Sequence, residues 1–258
     1  MGMSEGDSSE NVHDLAREWN EIADIDPMWA ILSRPDKKHS KWSVEEFYAT
    51  GREEIDEAIA LVESSGVELS WNTALDFGCG VGRLSVALSD RFLSVTGVDI
   101  SSSMIDQARS SWTSKSNLSF VVNERSDLSV FAANNFDFVY SARVLQHMPT
   151  TQLALEYIAE FVRVLRPGGV ACFQVPAKVK PYRRFVSRRR LAVPLRSIGI
   201  PTDWLYRRLG LHSMHLIAVP APLVVKQLQS AGATLNGQTQ DPYSEGFKSS
   251  FFYVAVKS

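Results

Sequence analysis

Cysteine is scarce in this chain, with two in 258 residues. Two thiols cannot build a disulfide framework or a four-thiolate zinc site. A reducing, cytoplasmic setting is the expectation that follows. Long apolar runs are missing too. The best, Leu216 to Val225, has ten residues and contains Pro220 and Pro222, so no bilayer-spanning helix is expected. The opening Met1-Gly2-Met3-Ser4-Glu5-Gly6-Asp7 is polar and acidic, without the apolar core of an export signal. Position 6 is Gly6, where an N-myristoylation pattern wants Ser or Thr. Nor is there an excess of one charge. The 27 basic and 29 acidic side chains leave a net charge of −2, which excludes a generic polyanion binder. Hydrophobic and charged fractions of 45% and 22% are globular values, so wholesale disorder is excluded. The length permits a single large α/β domain.

The near-neutral total hides segregation. Residues 1–65 hold 16 acidic and 6 basic side chains, whereas residues 178–210 hold 10 basic and 1 acidic. Such blocks face different partners, form solvated faces, or pair with each other. Residues 1–13 read as disordered, and residues 14–70 as an N-terminal helical cap. Leu15, Trp19, Ile22 and Ile25 fit one helical stripe. Asp26-Pro27 breaks it. Ser43 and Glu46 form a capping box for a second helix to about Glu63, with Ile55, Ala58, Ile59 and Val62 as its stripe. Trp19, Trp29 and Trp42 fall in this segment, to line a cavity or to bury its helices against the core.

From residue 71 onward the pattern alternates. Strands read at Asn72–Phe77, Ser94–Asp99, Leu118–Val122, Phe136–Tyr140 and Val170–Val175, with helices at Val81–Arg91, Ser102–Trp112 and Thr151–Leu165. Arg166-Pro167-Gly168-Gly169 is a strong helix stop. A basic insertion covers residues 177–219. A helix over Ala221–Ala231 and two late strands near Ala233–Thr239 and Ser249–Val256 follow. This predicts a doubly wound, mainly parallel α/β sheet.

The chemistry is concentrated in Ala74-Leu75-Asp76-Phe77-Gly78-Cys79-Gly80-Val81-Gly82-Arg83-Leu84, a strand, a glycine turn and a helix start. The glycines let the backbone turn sharply and approach a ligand, and the helix start offers unpaired N–H groups. A GxGxxG dinucleotide loop would need its third glycine at position 83, which is Arg83. Asp76 would repel a pyrophosphate but suits a ligand carrying an ammonium and a sulfonium. Asp99 ends the second strand, where a carboxylate can accept both ribose hydroxyls.

The ordered set Leu75–Gly82, Gly97-Val98-Asp99-Ile100-Ser101, Phe136–Ser141 and Leu165-Arg166-Pro167-Gly168-Gly169 resembles the class I S-adenosylmethionine-dependent methyltransferases of the small-molecule, O-methyltransferase-like group. The resemblance covers about residues 70–176. It implies a seven-stranded Rossmann-like methyltransferase domain over residues 71–258, with an antiparallel last strand near Phe251–Val256 and a lid at 177–219. It implies S-adenosylmethionine as cofactor. Asp76, Phe77, Gly78, Cys79, Gly80, Gly82 and Arg83 would form the methionine-side loop. Asp99 would bind ribose, and Ile100 and Met104 would flank adenine. Glu124 stands at the family's adenine-side acid position, with Asp127 and Leu128 a turn later. Ser141 would lie near the sulfonium.

The acceptor is less legible. An alcohol acceptor needs a base, and His147, after the fourth strand, is the first candidate. His212 and His215 in the insertion are the alternatives. Their i, i+3 spacing has no third ligand nearby, so no metal is expected. The resemblance implies a polar small-molecule acceptor, methylated at a hydroxyl oxygen as in sugar and natural-product O-methyltransferases. The arginines of Tyr182–Arg190 suit an anionic acceptor, a carrier-bound substrate, a lipid surface or RNA, or else a solvated lid paired with the acidic N-terminal helices. Too few aromatics accompany them to argue for RNA, and no Asn/Asp-Pro-Pro-Tyr or Pro-Cys motif of the DNA enzymes is present. An RNA methyltransferase and a non-catalytic cofactor-binding subunit are the alternatives, with a dehydrogenase third. A homodimer is an admissible assembly.

Overall fold

The computed structural model describes residues 5–180, 188–211, 214, 216–242 and 247–258, with side chains from Val12 onward and not for residues 188–190. Three helices open the chain: α1 (Glu5–Ile25), α2 (Pro27–Ile31) and α3 (Val44–Ser64). Strands β1 (Thr73–Phe77), β2 (Ser94–Asp99), β3 (Leu118–Val122), β4 (Phe136–Ser141) and β5 (Leu165–Val179) alternate with α4 (Arg83–Ser89), α5 (Ser102–Ser111) and α6 (Thr151–Val164). After β5 come α7 (Arg188–Ser197), α8 (Ala221–Ser230), β6 (Ala233–Gln240) and β7 (Phe247–Lys257). The seven strands make one sheet in the order β3-β2-β1-β4-β5-β7-β6. Strands β1 to β5 pair in parallel, and β7 runs antiparallel to both its neighbours.

Both faces of the sheet are covered, as parallel strands require. The period-two alternation of side chains sorts them. Ala74, Phe138, Tyr140, Cys172 and Val254 pack with Ile59 of α3 and Leu88 of α4. Leu75, Phe77, Phe173 and Tyr253 face the other way, onto Phe161 of α6 and Leu228 of α8. Helix α3 lies close on α4: a Cβ on Gly51 would meet the Arg83 carbonyl oxygen at 2.5 Å.

Several boundaries differ from the sequence expectation. Residues 1–13 were expected to lack order, yet α1 already runs from Glu5. Its buried stripe includes Val12, a turn ahead of Leu15, so the apolar face that docks the helix begins earlier. The capping box is half formed. Ser43 Oγ accepts from Glu46 N at 3.2 Å, but the Glu46 carboxylate is taken by Lys37 at 2.6 Å. Helix α4 starts at Arg83 rather than Val81, because Gly80 and Gly82 are left-handed, with φ of +54° and +88°.

The acidic and basic blocks pair in part. Glu21 of α1 accepts from Arg196 at 2.5 Å and from Thr202 at 2.6 Å, and buried Asp26 accepts from Tyr206 Oη at 2.7 Å. No helix among the described residues is long and apolar enough to cross a membrane, and none of their His, Cys, Asp and Glu side chains form a group of three that could hold a metal ion.

Candidate active site

Strand order reverses between β1 and β4, and beyond their C-terminal ends lies the crevice where open α/β sheets bind ligands. A cavity of about 1830 Å³ fills it. That exceeds the roughly 300–1,000 Å³ of an ordinary small-ligand pocket, so there is room for two molecules. Gly78, Cys79, Gly80, Asp99 and Ile100 line one side, and Leu15, Trp19, Trp29 and Ile31 of the N-terminal helices line another.

The glycine loop is fixed from beneath. Gly78 and Cys79 donate to the Val98 carbonyl at 2.8 and 3.1 Å. Gly78 has a φ of +74°, a backbone that side-chain-bearing residues rarely adopt. Asp99 braces the turn: Oδ2 accepts from Gly80 N at 2.8 Å and Oδ1 from Ser101 N at 2.9 Å. Burial raises the Asp99 carboxyl, against the lowering effect of these backbone donors. Burial also pushes the Cys79 thiol well above its ordinary range, which removes it as a nucleophile.

Asp76 is fully buried. Its Oδ2 accepts from Ser85 Oγ at 2.5 Å, while Oδ1 has no partner. Burial pushes its carboxyl up to about 7, against the lowering effects of Ser85 and Arg83. A raised carboxyl favours the neutral form in the fold. Stability is therefore complete below the unfolded value and is lost as pH rises through about 7. Asp76→Asn should consequently raise the melting temperature by several degrees at about pH 8, and leave it unchanged near pH 4. Melting curves at the two pH values check this, and equal shifts at both would refute the titration.

The remaining expected site residues separate. Phe77, Arg83, Met104 and His147 reach the cavity wall. Arg83, 2% exposed, is nevertheless committed to Glu54 at 2.7 Å. Gly82 is packed against Phe120. Ser141 is buried and donates to the Phe77 carbonyl at 3.2 Å, tying β4 to β1. Glu124 is exposed and off the cavity; Asn123 lines it instead. Asn123 N donates to the Asp99 carbonyl at 2.9 Å, extending the β3–β2 pairing by one residue. Strand alternation then turns residue 123 inward and residue 124 out. Asp127 accepts from Ser129 N at 3.0 Å in a local turn. Leu128 belongs to the core. His212 and His215 lie outside the described residues, as does Tyr182.

Sequence reasoning missed a polar cluster on the cavity wall. Glu54 of α3 pairs with both Arg83 and Arg143 and accepts from Tyr140 Oη at 3.2 Å. Burial alone would raise the Glu54 carboxyl, but Arg143 and Arg83 hold it below the usual range. Arg143 sits at a φ of +63°, and its N–H donates to Gln174 Oε1 at 2.9 Å. Gln174 in turn donates to Ser250 Oγ at 2.5 Å and Asp241 Oδ2 at 3.3 Å. A lone glutamine between Phe173 and Val175 was the available signal, since a polar side chain in a buried strand needs partners.

Residues 74–169 match the family model for the methyltransferase domain. Residues 74–169 form a methyltransferase domain of the class I S-adenosylmethionine-dependent kind. The trans-aconitate 2-methyltransferase of Deinococcus radiodurans is 34% identical over 110 residues, 43% of this chain and 40% of that protein. A ubiquinone biosynthesis O-methyltransferase of Coxiella burnetii is 32% identical over 110 residues, 42% of this chain and 44% of that protein. The chain thus spans less than half the length of these curated relatives. A solved SAM-dependent methyltransferase from Methanosarcina mazei superposes with a TM-score of 0.55 at 25% identity, covering 73% of this chain and 94% of that one. The methyltransferase domain fits its cofactor on the geometry above. Two left-handed glycines, Gly78 and Gly80, bring backbone to the crevice, Asp76 Oδ1 is an unsatisfied acceptor beneath them, and each Asp99 oxygen keeps a second acceptor position.

Proposed function

We propose that the chain transfers a methyl group from S-adenosylmethionine to a polar small molecule at a hydroxyl oxygen, with His147 as the base. Asp99 would accept the ribose hydroxyls, and a cationic amino-acid end above the loop would draw Asp76 into its ionised form. The position of His147 carries the proposal. It follows β4 in a short turn (Leu145–His147) and lines the cavity. Its ring packs edge-on to Trp19, with centroids 5.2 Å apart. The Gln146 amide nitrogen lies 3.0 Å from His147 Nε2. An acceptor hydroxyl taking the place of the Gln146 amide would lie within hydrogen-bond reach of that ring nitrogen.

In the transfer the acceptor oxygen forms a bond to the methyl carbon, the carbon–sulfur bond breaks, and sulfur keeps its electron pair. The hydroxyl proton passes to His147. Positioning supplies much of the rate, and a general base contributes roughly 100- to 10,000-fold. His147→Ala should therefore lower kcat by about that factor while affinity for S-adenosylhomocysteine holds. Radiolabelled methyl transfer to a panel of hydroxylated and carboxylated acceptors, alongside calorimetry, measures both. Full turnover in the variant would move the base to His212 or His215. Transfer to carboxylates alone would replace the hydroxyl reading.

A further inference from the structure

The cavity reaches over the C-terminal edge of the sheet onto both of its faces. On the α6 face Leu15, Leu153 and Tyr157 give it an apolar wall. On the α3 face the wall is polar, with Glu54, Arg143 and Gln174. Methyl transfer as described above gives Arg143 no task, yet its conformation is held at a cost. Its φ of +63° is a left-handed backbone that side-chain-bearing residues rarely adopt. Such strain persists only where the surroundings impose it, and it gathers at ligand sites. Buried Gln174 imposes it here by accepting from Arg143 N at 2.9 Å. The next residue packs onto the glycine loop: a Cβ on Gly78 would meet Val144 Cγ2 at 2.3 Å. The turn therefore holds Arg143 beside the cofactor crevice.

The guanidinium is only partly spent. It has five N–H donors and bonds Glu54 through Nη2. Nε and Nη1 make no hydrogen bond among the described residues, and neither is a buried orphaned atom. Whichever Nη2 hydrogen Glu54 takes, one two-donor edge of the plane remains for a ligand. Charge is left over as well. Glu54 is shared with Arg83, so two guanidiniums meet one carboxylate. Buried Asp241 accepts from Gln174 and Ser250 at 3.3 and 3.1 Å. Lys178 adds a cation to the cavity wall, with no acid paired to it among the described residues. Glu53 and Glu57 also line the cavity, but both are exposed, where salt and water screen them.

We infer that Arg143 grips a carboxylate of the methyl acceptor, which is therefore a hydroxylated carboxylic acid. A planar fork matches a carboxylate in a way that a lysine cannot. Four residues separate Arg143 from His147, a span of at most about 14 Å, so one small molecule can hold its carboxylate at the first and its hydroxyl at the second. The inference rests on the reading that this cavity takes the methyl acceptor. Carboxylate capture itself does not require His147 to be the base.

The test is calorimetric binding to the full chain saturated with S-adenosylhomocysteine, which needs no turnover. The probes are hydroxylated carboxylic acids, aliphatic and aromatic, each paired with its primary amide. At least one acid should bind, and its amide about tenfold or more weakly, because a charge-assisted pair is lost. Arg143→Gln should abolish that preference. Arg143→Lys keeps the charge without the fork and should bind the acid several-fold more weakly. Glu54→Gln removes the competing carboxylate and should bind the acid several-fold more tightly, with the amide unchanged. A merely structural cluster would not respond with opposite signs to changes at its two ends. If Arg143→Gln does not fold, Arg143→Lys and Glu54→Gln carry the test. Absence of binding by every acid, equal binding of acids and amides, or a Glu54→Gln variant that binds the acid no more tightly overturns the inference. His147→Ala should keep the preference. Turnover lost there with the preference intact leaves the inference standing, whereas a base at His147 without any preference for acids refutes it alone.

Discussion

Asp99→Ala should weaken binding of S-adenosylhomocysteine by roughly 100-fold or more, since two hydrogen bonds to a charged acceptor are lost. The structure adds a second reason for a large effect. Asp99 holds Gly80 N and Ser101 N, so the substitution also releases the turn that shapes the glycine loop. Asp99→Asn separates the contributions. One amide oxygen can still accept, but the NH₂ group is set against a backbone donor, and an intermediate affinity results. Calorimetry on the three proteins checks the ranking. An unchanged dissociation constant for the alanine variant would sink the assignment of Asp99 to ribose.

Glu54→Ala should be the most destabilising single change in the cap. It leaves two guanidinium groups without their partner, one of them on a residue 2% exposed. Breaking a buried pair by removing one side costs about 3–5 kcal/mol, which for a chain of this size lowers the melting temperature by on the order of 10 °C. Arg143 has a further stake, because its left-handed backbone persists only while its surroundings hold it. Glu54→Gln keeps the shape and one acceptor and should lose less. The carboxyl of Glu54 is held low, so its contribution is present at neutral pH and disappears as pH falls through and below the usual carboxylate range. Wild type and Glu54→Gln should therefore converge in acid. A melting temperature of Glu54→Ala within a degree or two of wild type would show the triad to be energetically idle.

The sheet was legible because its signals are local. The central strands show as short apolar runs in an alternating strand–helix pattern, and the glycine loop announces the crevice by spacing alone. The cap was less so. The first turns of α1 look polar in sequence, and only the docking of Val12 and Leu15 explains their helical state. The site divides along the same line. Asp76 and Asp99 sit near strand ends that the strand pattern makes legible, whereas Glu54 is one acid among many on α3. Its partnership with Arg83 and Arg143 spans 29 and 89 residues of sequence, and no period or spacing reports a contact of that kind. Glu124 shows the converse: family position favoured it, and the two-residue period of β3 gave the wall to Asn123.

Asn20 of α1 accepts from Ser101 Oγ at 2.8 Å and from Ser103 N at 3.2 Å, at the start of the helix that follows Asp99. The first helix of the chain thus fastens onto the segment that follows Asp99, while Trp19 beside it touches His147. A substitution on α1 that loosened these contacts would therefore disturb the Asp99 segment and the His147 ring together, and could alter turnover from outside the cavity wall without touching a reacting atom.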